Sequence, residues 1–242
     1  QQDRTVYTAA YYSADTNTIT INDNFISLEY KESQNHDNQQ EYFVRKYLCT
    51  LLHEMSHMAS SNFDPETGIL HSGFDSTNDR HTGLNEGMTE VIAMCGIPDT
   101  REMDSGYYME SCLVNQLICI IGKEEMIRSY FKAIGIDNIK QQLTQFGISN
   151  SEASYLFSLI ECNYLAHQHY DNFQTNALSE IQSTLLDCFN EKCKHEISSI
   201  DFDIEKIKNA FNIYENMLVT PSLLKQMGIN PNNYVGLIEN IE

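Results

Sequence analysis

Residues 41–60 read EYFVRKYLCTLLHEMSHMAS, and this stretch decides the fold of the N-terminal half. Apolar side chains recur in it at three- and four-residue intervals, which is the spacing of one face of an α-helix. His53 and His57 lie four residues apart and project together from the opposite face. We therefore predict a helix that presents two imidazoles to solvent or to a cleft. The apolar stripe consists of Val44, Tyr47, Leu48, Leu51, Leu52, Met55 and Met58.

Glu54 stands between the two histidines and completes the pattern His-Glu-x-x-His. Two imidazoles at this spacing can each direct a ring nitrogen at a single ion. Glu54 can then reach a water at that ion without binding the ion itself. About 0.02 such patterns are expected by chance in a chain of this composition. Residues 53–57 therefore predict the zinc site of a metallopeptidase.

A second helix is predicted over about residues 84–95, because apolar side chains again recur at helical spacing and Gly96 and Pro98 end the pattern. Glu86 and Glu90 lie four residues apart on its polar face. A catalytic zinc ion needs a third protein ligand and keeps its fourth position for water. Glu86 is our candidate ligand, and Glu90 is our candidate acceptor for the distal N–H of a ligating imidazole.

The order His53-Glu54-x-x-His57 followed by Asn85-Glu86-x-x-x-Glu90 resembles the gluzincin metallopeptidases, the thermolysin-like branch of the zincins. In that group the glutamate after the asparagine is the third zinc ligand, and an acidic residue four positions later supports a ligating histidine. Residues 17–21 resemble the edge strand that lies ahead of the active-site helix in zincins. The resemblance covers about residues 5–95 and implies a zincin-like fold with one Zn²⁺ ion.

Two other histidines stay open as third ligands. His71 and His81 lie between the two helices, and imidazole is an ordinary zinc ligand. The metzincin pattern would place a glycine at 60 and a histidine at 63, but those positions hold Ser60 and Phe63. That alternative is therefore excluded.

The predicted activity is hydrolysis of peptide bonds by an endopeptidase. Zinc lowers the pKa of a water toward about 7, and Glu54 would act as general base. A further donor to the carbonyl oxygen would help. Tyr107 and Tyr108 are the first candidates, although half-buried packing is the commoner role of tyrosine. His167 and His169 are interpreted as structural or surface groups, because residues two apart do not share a helix face.

The whole pattern predicts an α+β protein that is predominantly α-helical, with a small N-terminal β-sheet. Residues 5–30 are rich in β-forming residues and predict a hairpin or edge strand, and residues 31–40 and 60–83 predict connections. We divide the chain into a zincin-like catalytic part, 1–97, and a helical part, 98–242, that completes the cleft of one compact unit. Further helices are predicted at about 107–121, 123–134, 137–146, 151–169, 175–194, 203–217 and 221–227.

Composition limits the partners. The 242 residues include 34 acidic and 15 basic side chains, so the net charge is −19 with neutral histidines. Such a chain, without a cluster of Lys and Arg, repels nucleic acids and anionic lipids. The longest apolar run, 117–122, is too short to span a bilayer. We therefore expect a peptide or protein substrate, no nucleic-acid partner and no membrane insertion, and we leave the oligomeric state open.

The seven cysteines are an odd number and fall mostly in apolar helical patterns, which favours free buried thiols and weakly favours a reducing compartment. The sequence starts Gln1-Gln2-Asp3 without methionine, which is compatible with a leader or a larger N-terminal region ahead of it. We expect a soluble protein, and both the bacterial cytoplasm and secretion stay open.

Two alternatives to a peptidase remain. One is a zincin-fold protein that binds a metal or a partner without turnover, and the other is a purely structural helical protein. Glu54 argues against the first, because a non-catalytic site has no chemical need for that carboxylate.

Overall fold

The computed structural model describes residues 9–34, 38–97, 106–132, 135–170 and several helical positions between 177 and 192. Within these ranges the protein is predominantly α-helical with two small antiparallel sheets, which confirms the predicted α+β class. The helices are α1 (Asp23–Ser33), α2 (Gln39–Ser60), α3 (Thr82–Cys95), α4 (Tyr108–Ile121), α5 (Lys123–Phe131), α6 (Gly135–Thr144) and α7 (Asn150–Tyr170).

The predicted N-terminal hairpin is confirmed. Strand β1 (Ala10–Ser13) pairs antiparallel with β2 (Thr18–Ile21), and Tyr12 lies opposite Ile19. Asn17 makes the turn with a left-handed φ of 50°, a conformation that asparagine adopts more readily than most residues. The β-branched residues of β2 therefore form a strand as their alternation predicts.

Helix α1 was not predicted, since the β-rich segment was extended to residue 30 and a loop was expected after it. The side chain of Asn22 accepts hydrogen bonds from the backbone N–H groups of Asn24 and Phe25 at 3.2 and 3.4 Å. These bonds satisfy donors at the start of the helix. The capping residue Asn22 was thus the signal that the sequence analysis missed.

The connection between the two motif helices contains a second sheet that was not predicted. Its strands β3 (Ser61–Asp64), β4 (Ile69–Ser72) and β5 (Asp75–Ser76) pair in the order β3-β4-β5. The strands have four residues or fewer and carry Ser, Asn, Asp and His, which are weak strand signals. The sheet returns the chain from the end of α2 to the start of α3.

Helix α2 buries its polar face and exposes part of its apolar stripe. His53, Glu54, Ser56 and His57 are buried. Four residues of the stripe are the exposed ones, namely Val44 (46%), Leu48 (44%), Met55 (47%) and Met58 (37%). The histidine face therefore meets the rest of the protein, and its placement toward solvent is excluded.

The main core lies among α3, α4, α5, α6 and α7. Gly87 of α3 allows α4 to approach closely, because a Cβ atom at this position would lie 2.5 Å from backbone atoms of Glu110. Large side chains from all five helices are fully buried in this core, including Leu84, Met88, Leu113, Leu117, Ile120, Met126, Tyr130, Ile139, Leu143, Leu156, Phe157 and Ile160. The core packs against the apolar face of α3, and the polar face of α3 contacts α2.

The predicted helices between residues 107 and 169 are confirmed, with end shifts of at most three residues. Those at 203–217 and 221–227 lie outside the described residues. The division of the chain at residue 97 stays a prediction, because residues 98–105 also lie outside them.

No helix in the described ranges is long and apolar enough to cross a membrane. Six of the seven cysteines lie in the described part of the chain, and all six are free thiols. The prediction that the thiols are buried is confirmed only in part. Cys49, Cys112 and Cys188 are buried, whereas Cys95 and Cys162 are exposed.

Candidate metal centre

Helices α2 and α3 bring three candidate ligand atoms together. Nε2 of His53 lies 3.0 Å from Oε2 of Glu86, Nε2 of His57 lies 3.3 Å from the same oxygen, and the two nitrogens are 3.2 Å apart. Among the described residues, these three side chains form the group whose ligand atoms could hold a metal ion. The i, i+4 spacing in α2 places the two imidazoles, and the packing of α3 adds the carboxylate.

The three residues fit a metal ion in chemistry and in spacing. Ligand atoms about 2.0–2.1 Å from a tetrahedral ion stand about 3.3 Å from one another. The observed separations of 3.0 to 3.3 Å are close to that value. Two imidazoles and a carboxylate are also ordinary ligands of divalent transition metals.

Both ring nitrogens of His53 face carboxylates. Nδ1 lies 2.9 Å from Oε2 of Glu90, while Nε2 faces Glu86. Because an ionised carboxylate can only accept a hydrogen bond, Nδ1 must carry a proton. A neutral His53 then directs the lone pair of Nε2 at Glu86, which is unfavourable unless a cation lies between them. Glu90 thus occupies the position that the sequence analysis gave it.

The pKa values of the group show the same demand for positive charge. Burial lowers the pKa of His53, but its hydrogen bonds and ionic interactions with Glu86 and Glu90 outweigh burial and raise it to about 10. Burial raises the pKa of Glu86, whereas hydrogen bonds from His53 and His57 lower it far below its ordinary value. The site therefore favours a cation among these atoms, either a proton or a metal ion.

Glu54 is buried beside the three ligand candidates and is not one of them. Burial raises the pKa of its carboxyl, while the charges of His53 and His57 and a backbone hydrogen bond from Tyr12 lower it in part. The net shift is upward, toward the range in which a carboxyl group can exchange a proton near neutral pH.

The strand that contacts Glu54 is β1, whereas the family resemblance assigned the edge strand to residues 17–21. The backbone N–H of Asn22 donates to the carbonyl of Ala9 at 2.8 Å, so odd-numbered residues of β1 face β2. Because the hydrogen-bonding direction alternates along a strand, the backbone of Tyr12 faces the other edge. That edge of β1 is the one that lies over α2.

Tyr107 also lies at the centre. Its ring stacks on the imidazole of His53, with ring centroids 5.2 Å apart and an interplanar angle of 14°. Burial raises the pKa of Tyr107 well above its ordinary value, and the carboxylates of Glu86, Glu54 and Glu90 raise it further. The phenol therefore stays protonated near neutral pH. The side chain of Tyr108 lies outside the described residues.

The two competing third ligands lie elsewhere. His71 is on β4, and His81 immediately precedes α3, but neither belongs to the group of converging ligand atoms. Nε2 of His81 instead lies 3.0 Å from a carboxylate oxygen of Asp79. Of the second histidine pair, His167 lies 3.5 Å from the buried carboxylate of Glu110, and the side chain of His169 lies outside the described residues.

The start of α3 is fixed by Asn85, the residue before Glu86. Oδ1 of Asn85 accepts a hydrogen bond from the backbone N–H of Phe74 at 2.9 Å. Gly73 makes this contact feasible, since it has φ of 62° and a Cβ atom there would lie 2.1 Å from Oδ1 of Asn85. The turn before β5 thereby holds the helix that carries Glu86.

Two buried hydroxyl groups at the centre were missed by the sequence analysis. Oγ1 of Thr89 lies 3.5 Å from Nδ1 of His57 and 2.6 Å from the hydroxyl of Tyr130. Thr89 lies on α3 between Glu86 and Glu90, so its position was a signal that could have been used. Tyr130 lies on α5, and no spacing in the sequence connects it with either motif.

Comparison of the chain with protein-family models, curated proteins and solved structures finds no match. The side chains of the centre are therefore the basis for a functional proposal.

Proposed function

We propose that the protein is a zinc-dependent metallopeptidase of the gluzincin type, with His53, His57 and Glu86 as ligands. The observation that supports this proposal most strongly is the convergence of the three ligand atoms within 3.0 to 3.3 Å, with Glu54 buried beside them. A single proton bridges only two of these atoms, whereas one divalent ion would satisfy all three.

The bound zinc ion would polarise a substrate carbonyl and lower the pKa of a water. Glu54 takes a proton from the attacking water on its carboxylate and then delivers that proton to the leaving amine. Its raised pKa suits it to hold the proton between these two steps. The backbone hydrogen bond from Tyr12 fixes the orientation of the carboxylate.

Tyr107 is proposed to donate a hydrogen bond to the carbonyl oxygen as negative charge develops on it. Its ring is held by stacking on His53, and its elevated pKa keeps the phenol protonated. Glu90 holds the imidazole of His53 in the orientation that directs Nε2 at the centre.

The substrate is proposed to bind as an extended peptide along the edge of β1 that faces α2. Within the described residues β1 pairs with β2 alone, so its other edge is left for backbone pairing except at the N–H of Tyr12, which is bonded to Glu54. The net charge of −19 adds a mild preference for neutral or basic peptides, which salt would screen. A protein substrate with an exposed, extended segment fits this edge equally well.

The decisive experiment combines elemental analysis with hydrolysis of a peptide library. We expect one zinc ion per chain, and we expect Glu54→Gln to retain zinc while hydrolysis falls by about 10²–10⁴-fold. The matched control Glu66→Gln changes an exposed glutamate in the β3–β4 turn and should leave both unchanged.

A second pair of variants tests the ligands. His57→Ala should lose zinc, whereas His71→Ala should retain it. A protein without stoichiometric zinc, or a Glu54→Gln variant as active as the unaltered protein, would overturn the proposal. Zinc without cleavage of any peptide would favour the non-catalytic alternative.

A further inference from the structure

The two histidines of the centre have different partners at Nδ1. His53 meets the carboxylate of Glu90 at 2.9 Å, whereas His57 meets the hydroxyl of Thr89 at the longer distance of 3.5 Å. A hydroxyl can donate or accept, so it does not by itself decide which ring nitrogen of His57 carries the proton. The answer depends on the other partners of Thr89.

The proton of Thr89 is committed to its own helix. Oγ1 lies 2.7 Å from the backbone carbonyl of Asn85, which can only accept, so Thr89 donates there. The Tyr130 hydroxyl lies 2.6 Å from the same Oγ1, and it shares its single proton between Thr89 and Ser60, because the Ser60 hydroxyl donates its own proton to the backbone carbonyl of His57. Thr89 has no second proton, so it can offer His57 only a lone pair.

This arrangement of protons determines the tautomer of His57. Since Oγ1 of Thr89 can only accept from His57, the proton of the ring lies on Nδ1. Nε2 then presents its lone pair to Glu86 and His53, as a metal ligand requires. The hydroxyl groups of Thr89 and Tyr130 thus fix the tautomer of His57, as the Glu90 carboxylate fixes the tautomer of His53.

The pair is held rigidly. Thr89 and Tyr130 are both fully buried, and the Tyr130 ring packs edge-on against Phe74 with centroids 5.4 Å apart. Gly73 lies directly against this ring, since a Cβ atom there would approach it to 2.4 Å. Tyr130 is also hydrogen-bonded to Ser60 at the end of α2. Its hydroxyl therefore has one well-defined position between α2 and α3.

We propose that Thr89 and Tyr130 form a positioning pair that holds His57 in the Nδ1–H tautomer and directs its Nε2 at the metal centre. The inference rests on the proposed zinc site and assigns to α5 a part in building it. Neither residue touches the reacting atoms, so both act through His57.

The test measures zinc affinity by competition with a chromogenic chelator. Thr89→Val removes the hydroxyl at constant shape and should weaken zinc binding by about 10-fold. Tyr130→Phe leaves Thr89 in place and should weaken it less. Thr89→Ser keeps a hydroxyl at this position and should bind zinc with the affinity of the unaltered protein.

The matched control is Ser129→Ala, which removes a fully buried hydroxyl from the neighbouring position of α5. Oγ of Ser129 lies 2.7 Å from Nδ2 of Asn138, away from the centre. This variant should lose stability without a change in zinc affinity. A drop in affinity for Thr89→Val that equals the drop for Ser129→Ala would mean general destabilisation and would overturn the proposal.

Nitrogen-15 NMR of the unaltered, metal-free protein is an independent test, because it requires neither bound zinc nor a variant that folds. We expect a slowly exchanging proton on Nδ1 of His57 and no proton on Nε2. An unprotonated Nδ1 overturns the positioning role. Absence of zinc binding together with this protected proton would refute the proposed function and leave the hydroxyl pair supported.

Discussion

Nδ1 of His53 lies 2.9 Å from Oε2 of Glu90 across the interface of α2 and α3. The bond joins the first histidine of one motif to the last glutamate of the other, and both side chains are buried. It fixes the tautomer of His53 and increases the electron density that Nε2 can offer to a cation. The contact therefore links the packing of two helices with the chemistry of the centre.

Replacing Glu90 by glutamine should weaken zinc binding by about 10–100-fold, because a neutral amide is a poorer acceptor for the Nδ1–H of His53. Competition with a chelator measures the affinity. Glu66→Gln is the control, since it also replaces a carboxylate by an amide but at an exposed turn. Equal affinities of the two variants would show that Glu90 does not support the ligand.

Removal of zinc should destabilise the fold. A ligand present at 1,000 times its Kd stabilises the native state by about 4 kcal/mol, so a chelator should lower the melting temperature by several degrees. The loss should be local to α2 and α3, whose polar faces meet at the centre. Hydrogen exchange can locate it.

The control for zinc removal is His57→Ala, which lacks one of the proposed ligands. Its melting temperature should not respond to the chelator. If the unaltered protein also fails to respond, the three converging side chains hold no metal that contributes to stability.

Tyr107→Phe should lower kcat for peptide hydrolysis by about 10²-fold, the usual loss when one donor to a developing oxyanion is removed. Zinc affinity should stay unchanged, because phenylalanine can keep the stacking contact with His53. Tyr155→Phe, at an exposed position of α7, serves as the control. A variant with normal kcat would assign Tyr107 a packing role only.

Relationships within one helix could be predicted from the sequence. The spacing of His53 and His57 and that of Glu86 and Glu90 follow from the helical period alone. The pairing of the two helices could be inferred from the need of a zinc ion for a third ligand and from a family resemblance. Tyr130 could not be predicted, because nothing local to residue 130 indicates that α5 packs beside His57.

The apolar stripe of α2 shows a second feature that the sequence alone could not predict. Periodicity identified the stripe but could not tell which face of the helix meets the protein. The polar face is buried because its partners on α3, Glu86 and Glu90, are polar as well. Pattern alone assigns apolar residues to the interior, and the polar interface of α2 and α3 reverses that assignment.

The close approach of α3 and α4 at Gly87 makes a prediction about stability. In Gly87→Ala the new Cβ atom would lie 2.5 Å from the backbone carbonyl group of Glu110, so α4 must move. We expect a loss of about 1–3 kcal/mol in the free energy of unfolding, measured by urea denaturation. Activity should fall as well, because Tyr107 immediately precedes α4 and would move with it.

Gly106→Ala is the matched control for this prediction, since a Cβ atom at Gly106 meets no atom within 4 Å. Its free energy of unfolding should change by less than about 0.5 kcal/mol, as is usual for surface substitutions. If Gly87→Ala is as stable and as active as Gly106→Ala, then α3 and α4 do not pack closely at Gly87. The placement of Tyr107 against His53 would then need another support.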